Sequence, residues 1–328
     1  MVKPSILNGI NIDLLDPKLH PINTKRYILS TPPVNEVIQN ISACIDKKDT
    51  GAIIYGRPRL GKTFALRALK VYLQDGYGDI PIFTINQTWQ QYAREKRFYE
   101  DLLASSGHDL ISKGNSDEKR RRLINHLSNE IDKSQKGMMV LFIDEAQHLL
   151  EPHYYWLMDI YNALESKGYY VFYLLVGQKE LRHRRSTFIE QERQQIVGRF
   201  MVREYAFSGI RTEEDIKELL EGYDELTEYP EGSNISFTNY FFPEAFSTGH
   251  RISTFSEKMF NIFTNKRIEV KLSGKPEIPM KYLTSTIEYL FKEYGLHSKK
   301  PSEWINHSML EESIRQSGYI QAELGLQG

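Results

Sequence analysis

The chain has 328 residues, 40% of them hydrophobic and 26% charged, which suits a folded protein with one large domain or two modest ones. Its formal net charge is −1, so affinity for nucleic acid would have to come from local basic patches, and its single cysteine, Cys44, excludes an internal disulfide framework and a cysteine-based zinc site. No apolar run is long enough to span a bilayer, and the opening residues lack the basic start, apolar stretch and cleavage site of a secretory signal. A cytoplasmic protein with no membrane partner is expected.

Along the chain, short apolar runs alternate with helix-like stretches. After an N-terminal extension over residues 1–26, Gly51–Tyr55 reads as a strand and Lys62–Leu73 as a helix with apolar residues at helical spacing. Ile80–Ile85 is a second strand. A charged, helix-favouring region runs from Gln91 to Ile131, broken between Ser105 and Asn115 by Gly, Ser and Asp. Strands are then expected at Met138–Ile143 and Tyr169–Val176, with a helix carrying Trp156–Leu164 between them, and a weaker strand at Val202–Phe207. Continuous apolar strands separated by helices predict a parallel sheet covered on both faces. Near Gly209 the pattern changes to successive helices, which sets domains at 27–209, 210–272 and 273–328. Thr212–Leu226 begins with a threonine followed by acids, as a capped helix start does. Helices are also expected around Pro243–Phe246, over Arg251–Phe263 and over Met280–Tyr294, the last after a Gly/Pro-rich linker. The residues after Pro301 read as a polar, partly mobile tail.

Two motifs carry chemistry. Gly56-Arg57-Pro58-Arg59-Leu60-Gly61-Lys62-Thr63 fits G-x-x-x-x-G-K-[ST] between a strand and a helix, where backbone N–H groups can wrap phosphates. Lys62 would reach the β- and γ-phosphates of ATP, the Thr63 hydroxyl would ligate Mg²⁺, and Phe64 continues the nucleotide-binding segment. Pro58 and Arg59 stiffen the loop. Downstream, Val140–Ile143 ends in Asp144 and Glu145: Asp144 would hold Mg²⁺ and Glu145 would polarise the attacking water. The bland reading is a strand ending in two solvated acids. The next strand ends in Gly177-Gln178, and Gln178 would lie between the two motifs, where it could sense the γ-phosphate or orient water.

Several arginines fit a shared interface. In the stretch Leu181–Phe200, Arg199 is the preferred residue to complete a neighbour's site, with Arg184, Arg185 and Arg193 as fallbacks. In the helical part, Arg251 of Thr248-Gly249-His250-Arg251 would reach the γ-phosphate from a lid, while His250 reads as a surface residue and not a metal ligand. Basic clusters at Arg94, Lys96 and Arg97, beside Trp89 and Tyr92, and at Lys119, Arg120, Arg121 and Arg122 are candidate phosphate contacts, against the plain alternative of solvated helix faces. Tyr154-Tyr155-Trp156 reads as packing.

This order of parts resembles the AAA+ ATPases of the initiator-like branch, and within it the TnsC family of transposition regulators, over about Tyr27–Phe263. The family cues are Gly177-Gln178-Lys179-Glu180-Leu181 and the short lid. The resemblance implies an α/β P-loop NTPase sheet flanked by helices and followed by a small all-helical lid. It further implies ATP and Mg²⁺ as cofactors, and a ring or helical filament of roughly six or seven identical subunits per turn. It implies assembly on double-stranded DNA, recruitment by a TniQ-type target-selection protein, contact with transposase subunits, and disassembly on ATP hydrolysis. In the family, DNA is met by basic residues after the second strand, here Arg94, Lys96 and Arg97. Two other readings stay open: an ATPase acting on protein partners only, and a replication initiator or helicase loader.

Overall fold

The computed structural model describes residues 6–7, 9–11 and 15–325. Parts of the N-terminal extension, and the last three residues of the tail, lie outside the described residues. The first elements are the short antiparallel pair β1 (Ile6–Leu7) and β2 (Ile10–Asn11), then α1 (Pro21–Thr24) and α2 (Pro32–Asp46). Next come β3 (Gly51–Tyr55), α3 (Lys62–Tyr77), β4 (Ile82–Asn86), α4 (Glu95–Ser105), α5 (Ser116–Ser134), β5 (Met138–Asp144) and α6 (Glu151–Glu165). They are followed by β6 (Tyr170–Gly177), α7 (Lys179–Glu190), α8 (Gln194–Phe200) and β7 (Arg203–Ala206). The remainder is helical: α9 (Glu213–Glu221), α10 (Phe237–Phe241), α11 (Pro243–Ser247), α12 (Ser256–Glu269), α13 (Met280–Tyr294), α14 (His307–Gln316) and α15 (Tyr319–Leu324).

The chain divides into two compact units, and each is built around its own core. Residues Glu36–Pro58 and Lys62–Phe207 form the first. Its sheet has the order β4-β5-β6-β3-β7 with every pairing parallel. Strand β5 is buried along its whole length and β6 from Val171 onward, as runs without alternation require when helices cover both faces. The edge strand β7 is mostly exposed, which is why its sequence reads as a weak strand. Gly51 is needed where α8 ends against β3, since a Cβ there would lie 2.7 Å from the Arg199 carbonyl oxygen and 2.8 Å from Phe200 Cα.

The break expected between Ser105 and Asn115 separates α4 from α5, and α5 opens on a capping box in which Asn115 and Glu118 satisfy each other's backbone N–H groups. One face of α5 carries Leu123, Leu127 and Ile131, all buried, at the four-residue spacing of a helix stripe. Tyr154 is fully buried with its ring against Phe188 and Phe200, and Trp156 packs on Phe98 and Tyr99. That bears out packing for Tyr154 and Trp156, whereas Tyr155 is exposed.

The second unit comprises the residues before Glu36, Arg59–Gly61 and Ser208 onward. Thr212 caps α9 together with Asp215, as its sequence predicts, and α9 buries Ile216, Leu219 and Leu220. Where a polar, partly mobile tail is expected after Pro301, the described residues form α14 and α15, whose Leu310, Ile314 and Tyr319 enter the same core as Ile216, Phe237 and Leu283. A buried ion pair, Arg267 to Glu323 at 2.9 Å, fixes α15 to α12, with Tyr319 also bonded to Arg267 at 3.0 Å. The expected linker includes Ile278, which is fully buried and bridges Ile210 in both backbone directions. Among the described residues no helix is long and apolar enough to cross a membrane.

His153 has a clear consequence for the first unit. It is fully buried at the start of α6, its Nδ1 accepts the Leu150 N–H at 2.8 Å, and its Nε2 finds no partner among the described residues. Burial pushes its pKa down to about 4 from 6.5. Between those values the unfolded chain binds the extra proton and the folded one does not, so stability is full above pH 6.5 and falls as the solution is acidified towards pH 4. The shift is worth about 3 kcal/mol in all. Chemical denaturation of wild type and His153→Asn should show a shallower loss of stability in the variant over that interval; equal slopes would remove His153 from the account.

Candidate phosphate-binding and hydrolytic site

The first unit assembles the site at the C-terminal ends of its strands. Strand β3 leads into the phosphate loop, and α3 begins at Lys62. Lys62 is buried, and its ammonium donates to the Gly56 carbonyl at 2.8 Å and the Arg57 carbonyl at 2.7 Å. Desolvation lowers its pKa, opposed by the nearby charges of Glu145, Asp144 and Glu180. Thr63 donates its hydroxyl to Asp144 Oδ2 at 2.7 Å, and the other Asp144 oxygen accepts the Glu145 N–H at 2.9 Å. A hydroxyl and a carboxylate brought this close form a hard-oxygen pair suited to a small divalent cation. The order of strands puts β6 between β3 and β5, so Gln178 follows the strand that lies between those bearing the loop and the acids. Glu145 itself adopts a left-handed backbone, φ 53, which turns the chain sharply out of β5.

The loop tip belongs with the second unit. Arg59 has φ 66 and Gly61 has φ 111, and Arg59 donates from its guanidinium to the Tyr282 hydroxyl of α13. Pro58 is exposed, Leu60 is buried and Phe64 is half-buried.

The arginines fall into different settings. Arg184 is anchored by donating to the carbonyls of Leu149 and Gln147, and Arg185 donates to the Met201 carbonyl at 3.0 Å and pairs with Glu204 at 3.3 Å. Arg193 pairs with Glu151 at 3.2 Å. Arg199 stacks 4.0 Å from the Tyr161 ring centroid and donates to Asn162 Oδ1, so its half-buried guanidinium is held against α6. In the second unit the Arg251 head lies 3.6 Å from the Phe246 ring and donates to the carbonyls of Phe246 and His250. Asp224, not anticipated from sequence, is buried there and accepts the N–H groups of Ile252 and Ser253 at 3.0 Å each, capping the turn that follows Arg251.

The two basic clusters part company. Arg94, Lys96 and Arg97 are exposed at the start of α4, next to Trp89 at 71% and Tyr92 at 68% exposure. Arg97 reaches Asp101 only at 3.7 Å. Lys119 corrects the second cluster. It stands four residues before Leu123 on the buried stripe of α5, is fully buried, and donates to the Ile111 carbonyl at 2.7 Å and pairs with Glu100 at 3.1 Å. Arg122 donates to the carbonyls of Leu110 and Lys113, and Arg120 lies 3.7 Å from Asp159, while Arg121 is exposed. Lys119 therefore holds a loop and presents no charge to an external phosphate. Lys119→Ala should destabilise the protein by about 3 kcal/mol, since it strands the carbonyls it serves and a partly buried carboxylate. Arg121→Ala should leave the thermal midpoint unchanged, and equal melting temperatures for the two variants would contradict this placement.

Sequence reading also missed Gln147. It is buried in the turn after Glu145, where its side chain meets both Glu145 and the backbone of Gln178. The only signal was its position two residues beyond the acidic pair.

Residues 45–184 match the family AAA_22, described as AAA domain. No curated protein matches the chain. Among solved structures, the Aeropyrum pernix ORC2 protein in ADPNP-ADP complexes aligns with a TM-score of 0.58 at 10% identity, covering 91% of this chain and 71% of that one. The Aeropyrum pernix ORC1 protein in complex with DNA aligns at 0.49 and 12% identity, covering 88% and 66%, and Cdc6p from Pyrobaculum aerophilum at 0.44 and 15%, covering 92% and 86%. The parallel five-stranded sheet, the phosphate loop and the matched domain together give this chain the AAA+ P-loop fold, followed by a helical C-terminal region.

Proposed function

We propose that this protein is an ATPase that assembles on duplex DNA as a transposition regulator of the TnsC type. Hydrolysis is supported by the grouping of Lys62, Thr63, Asp144 and Glu145. Bound ATP would supply the phosphoanhydride to be cleaved. Lys62 would neutralise phosphate charge, Thr63 and Asp144 would hold Mg²⁺, and Glu145 would accept a proton from water. Gln178 and, from the lid, Arg251 would respond to the γ-phosphate. Arg199 would complete the site of a neighbouring subunit, because its guanidinium is already oriented by Tyr161 and Asn162.

The observation that carries the DNA reading is the exposed Trp89, Tyr92, Arg94, Lys96 and Arg97 grouping in the loop after β4 and the first turn of α4. Exposed cations beside exposed aromatic rings suit phosphate contact without sequence reading, which a regulator that must follow any target needs. Arg121 would add to it. A TniQ-type target selector and transposase subunits would be the protein partners. A replication initiator is the second reading, favoured by the fold likeness to the ORC2 protein.

Sedimentation and electron microscopy with an ATP analogue and duplexes of unrelated sequence should yield the same nucleotide-dependent assemblies. Preference for one sequence would favour the initiator, and assembly indifferent to DNA would favour action on protein alone. Glu145→Gln should keep nucleotide binding, lose at least about 100-fold in hydrolysis and trap the assembly. Wild-type sites should lose activity as Arg199→Ala subunits are mixed in, whereas loss confined to the variant's own sites would place Arg199 elsewhere.

Replacing Arg94, Lys96 and Arg97 together by Ala should weaken DNA binding at every sequence. It should also flatten the plot of log affinity against log salt by about 2.7, at about 0.9 per phosphate contact. An unchanged slope would move the DNA contact to another surface.

A further inference from the structure

We infer that Gln147 is a positioning residue for hydrolysis, tying the Glu145 carboxylate to the end of β6 through one side-chain amide. The inference rests on Glu145 being the base. Gln147 sits in the short turn after Glu145 and is only 9% exposed. Its Nε2 donates to Glu145 Oε2, and its Oε1 accepts the Gln178 N–H at 3.0 Å.

The network itself fixes which way the amide faces. A backbone N–H can only donate, so the amide oxygen must face Gln178, and the NH₂ group must then face Glu145. The carboxylate is thus held by a donor on Oε2, which sets its plane and leaves Oε1 for a water. Because the other end of the same amide is on the residue following β6, displacement of Gln178 would be transmitted to the carboxylate over a single side chain. Two further features keep the amide in place. Arg184 donates to the Gln147 carbonyl at 3.2 Å, pinning the turn. Gly177 leaves the space the amide needs, since a Cβ there would lie 2.6 Å from Gln147 Oε1 and 3.2 Å from its backbone nitrogen.

This explains why Gly177 is glycine although its backbone is not left-handed: a side chain at that point would push against the bridge. It also assigns Arg184 a structural role behind the site.

The experiment measures steady-state ATP hydrolysis and ATP-analogue binding by the full-length protein, with and without duplex DNA. Gln147→Ala should lower kcat about 10- to 100-fold while analogue affinity stays within about threefold of wild type. Gln147→Met keeps the length of the side chain but offers neither the donor to Glu145 nor the acceptor for Gln178, so it should lose a similar factor in kcat while melting near wild type. Gly177→Ala should lower kcat in the wild-type background and add little to Gln147→Ala, because the atom it displaces is then gone. In a Glu145→Gln background, Gln147→Ala should have no further effect. Wild-type kcat for Gln147→Met, or additive losses in the Gly177→Ala and Gln147→Ala pair, would overturn the bridge while leaving Glu145 as base. Full hydrolysis by Glu145→Gln would instead overturn the assignment of the base on which the bridge depends.

Discussion

The hydrogen bond from Thr63 to Asp144 joins residues 81 apart in the chain, and the candidate site exists because the sheet brings them to 2.7 Å. Neither residue could be placed there by its own element. The threonine is fixed by the strand-loop-helix turn at the end of β3, and the aspartate by a strand buried from end to end. Between these strands runs β6, so the edge where all three finish collects a hydroxyl, two acids, a buried ammonium and an amide within one small volume. Parallel pairing is the cause, since it puts every strand's C-terminal end on the same side.

Burial then determines what each charged group can do. Lys62 sits against two carbonyls with acids close by, a setting in which an ammonium is costly to bury and responsive to any anion that replaces those carbonyls. Lys119 shows the same chemistry put to a structural use, because its carbonyl partners and Glu100 leave it nothing to offer a ligand. Arg184 and Arg185 are likewise committed to main-chain oxygens. Arg199 differs in being laid against an aromatic ring beside Asn162, a support that orients the guanidinium without enclosing it.

Much of the fold was legible because its signals are local. The loop Gly56–Thr63, the apolar run ending in Asp144 and Glu145, the Thr212 cap and the break between α4 and α5 each depend on residues a few positions apart. The weak edge strand could be read as weak. The tail after Pro301 was misread because its apolar residues are sparse. Leu310 and Ile314 on α14 and Tyr319 on α15 nevertheless enter a core shared with other helices, as the Arg267 to Tyr319 bond across 52 positions illustrates. Lys119 was misread for the opposite reason. Its charge suggested a solvated face, although its four-residue step to Leu123 already placed it on the buried stripe.

The sequence by itself determined the phosphate loop, the acidic strand end, the alternation of strands and helices and the change to an all-helical region, because period and spacing fix these within a single element. Only the tertiary structure decided the order of the strands, which basic residues remain exposed, and that Gln147 faces both Glu145 and Gln178. Those outcomes depend on contacts between distant segments, where packing and the need to satisfy buried polar groups outweigh local preference.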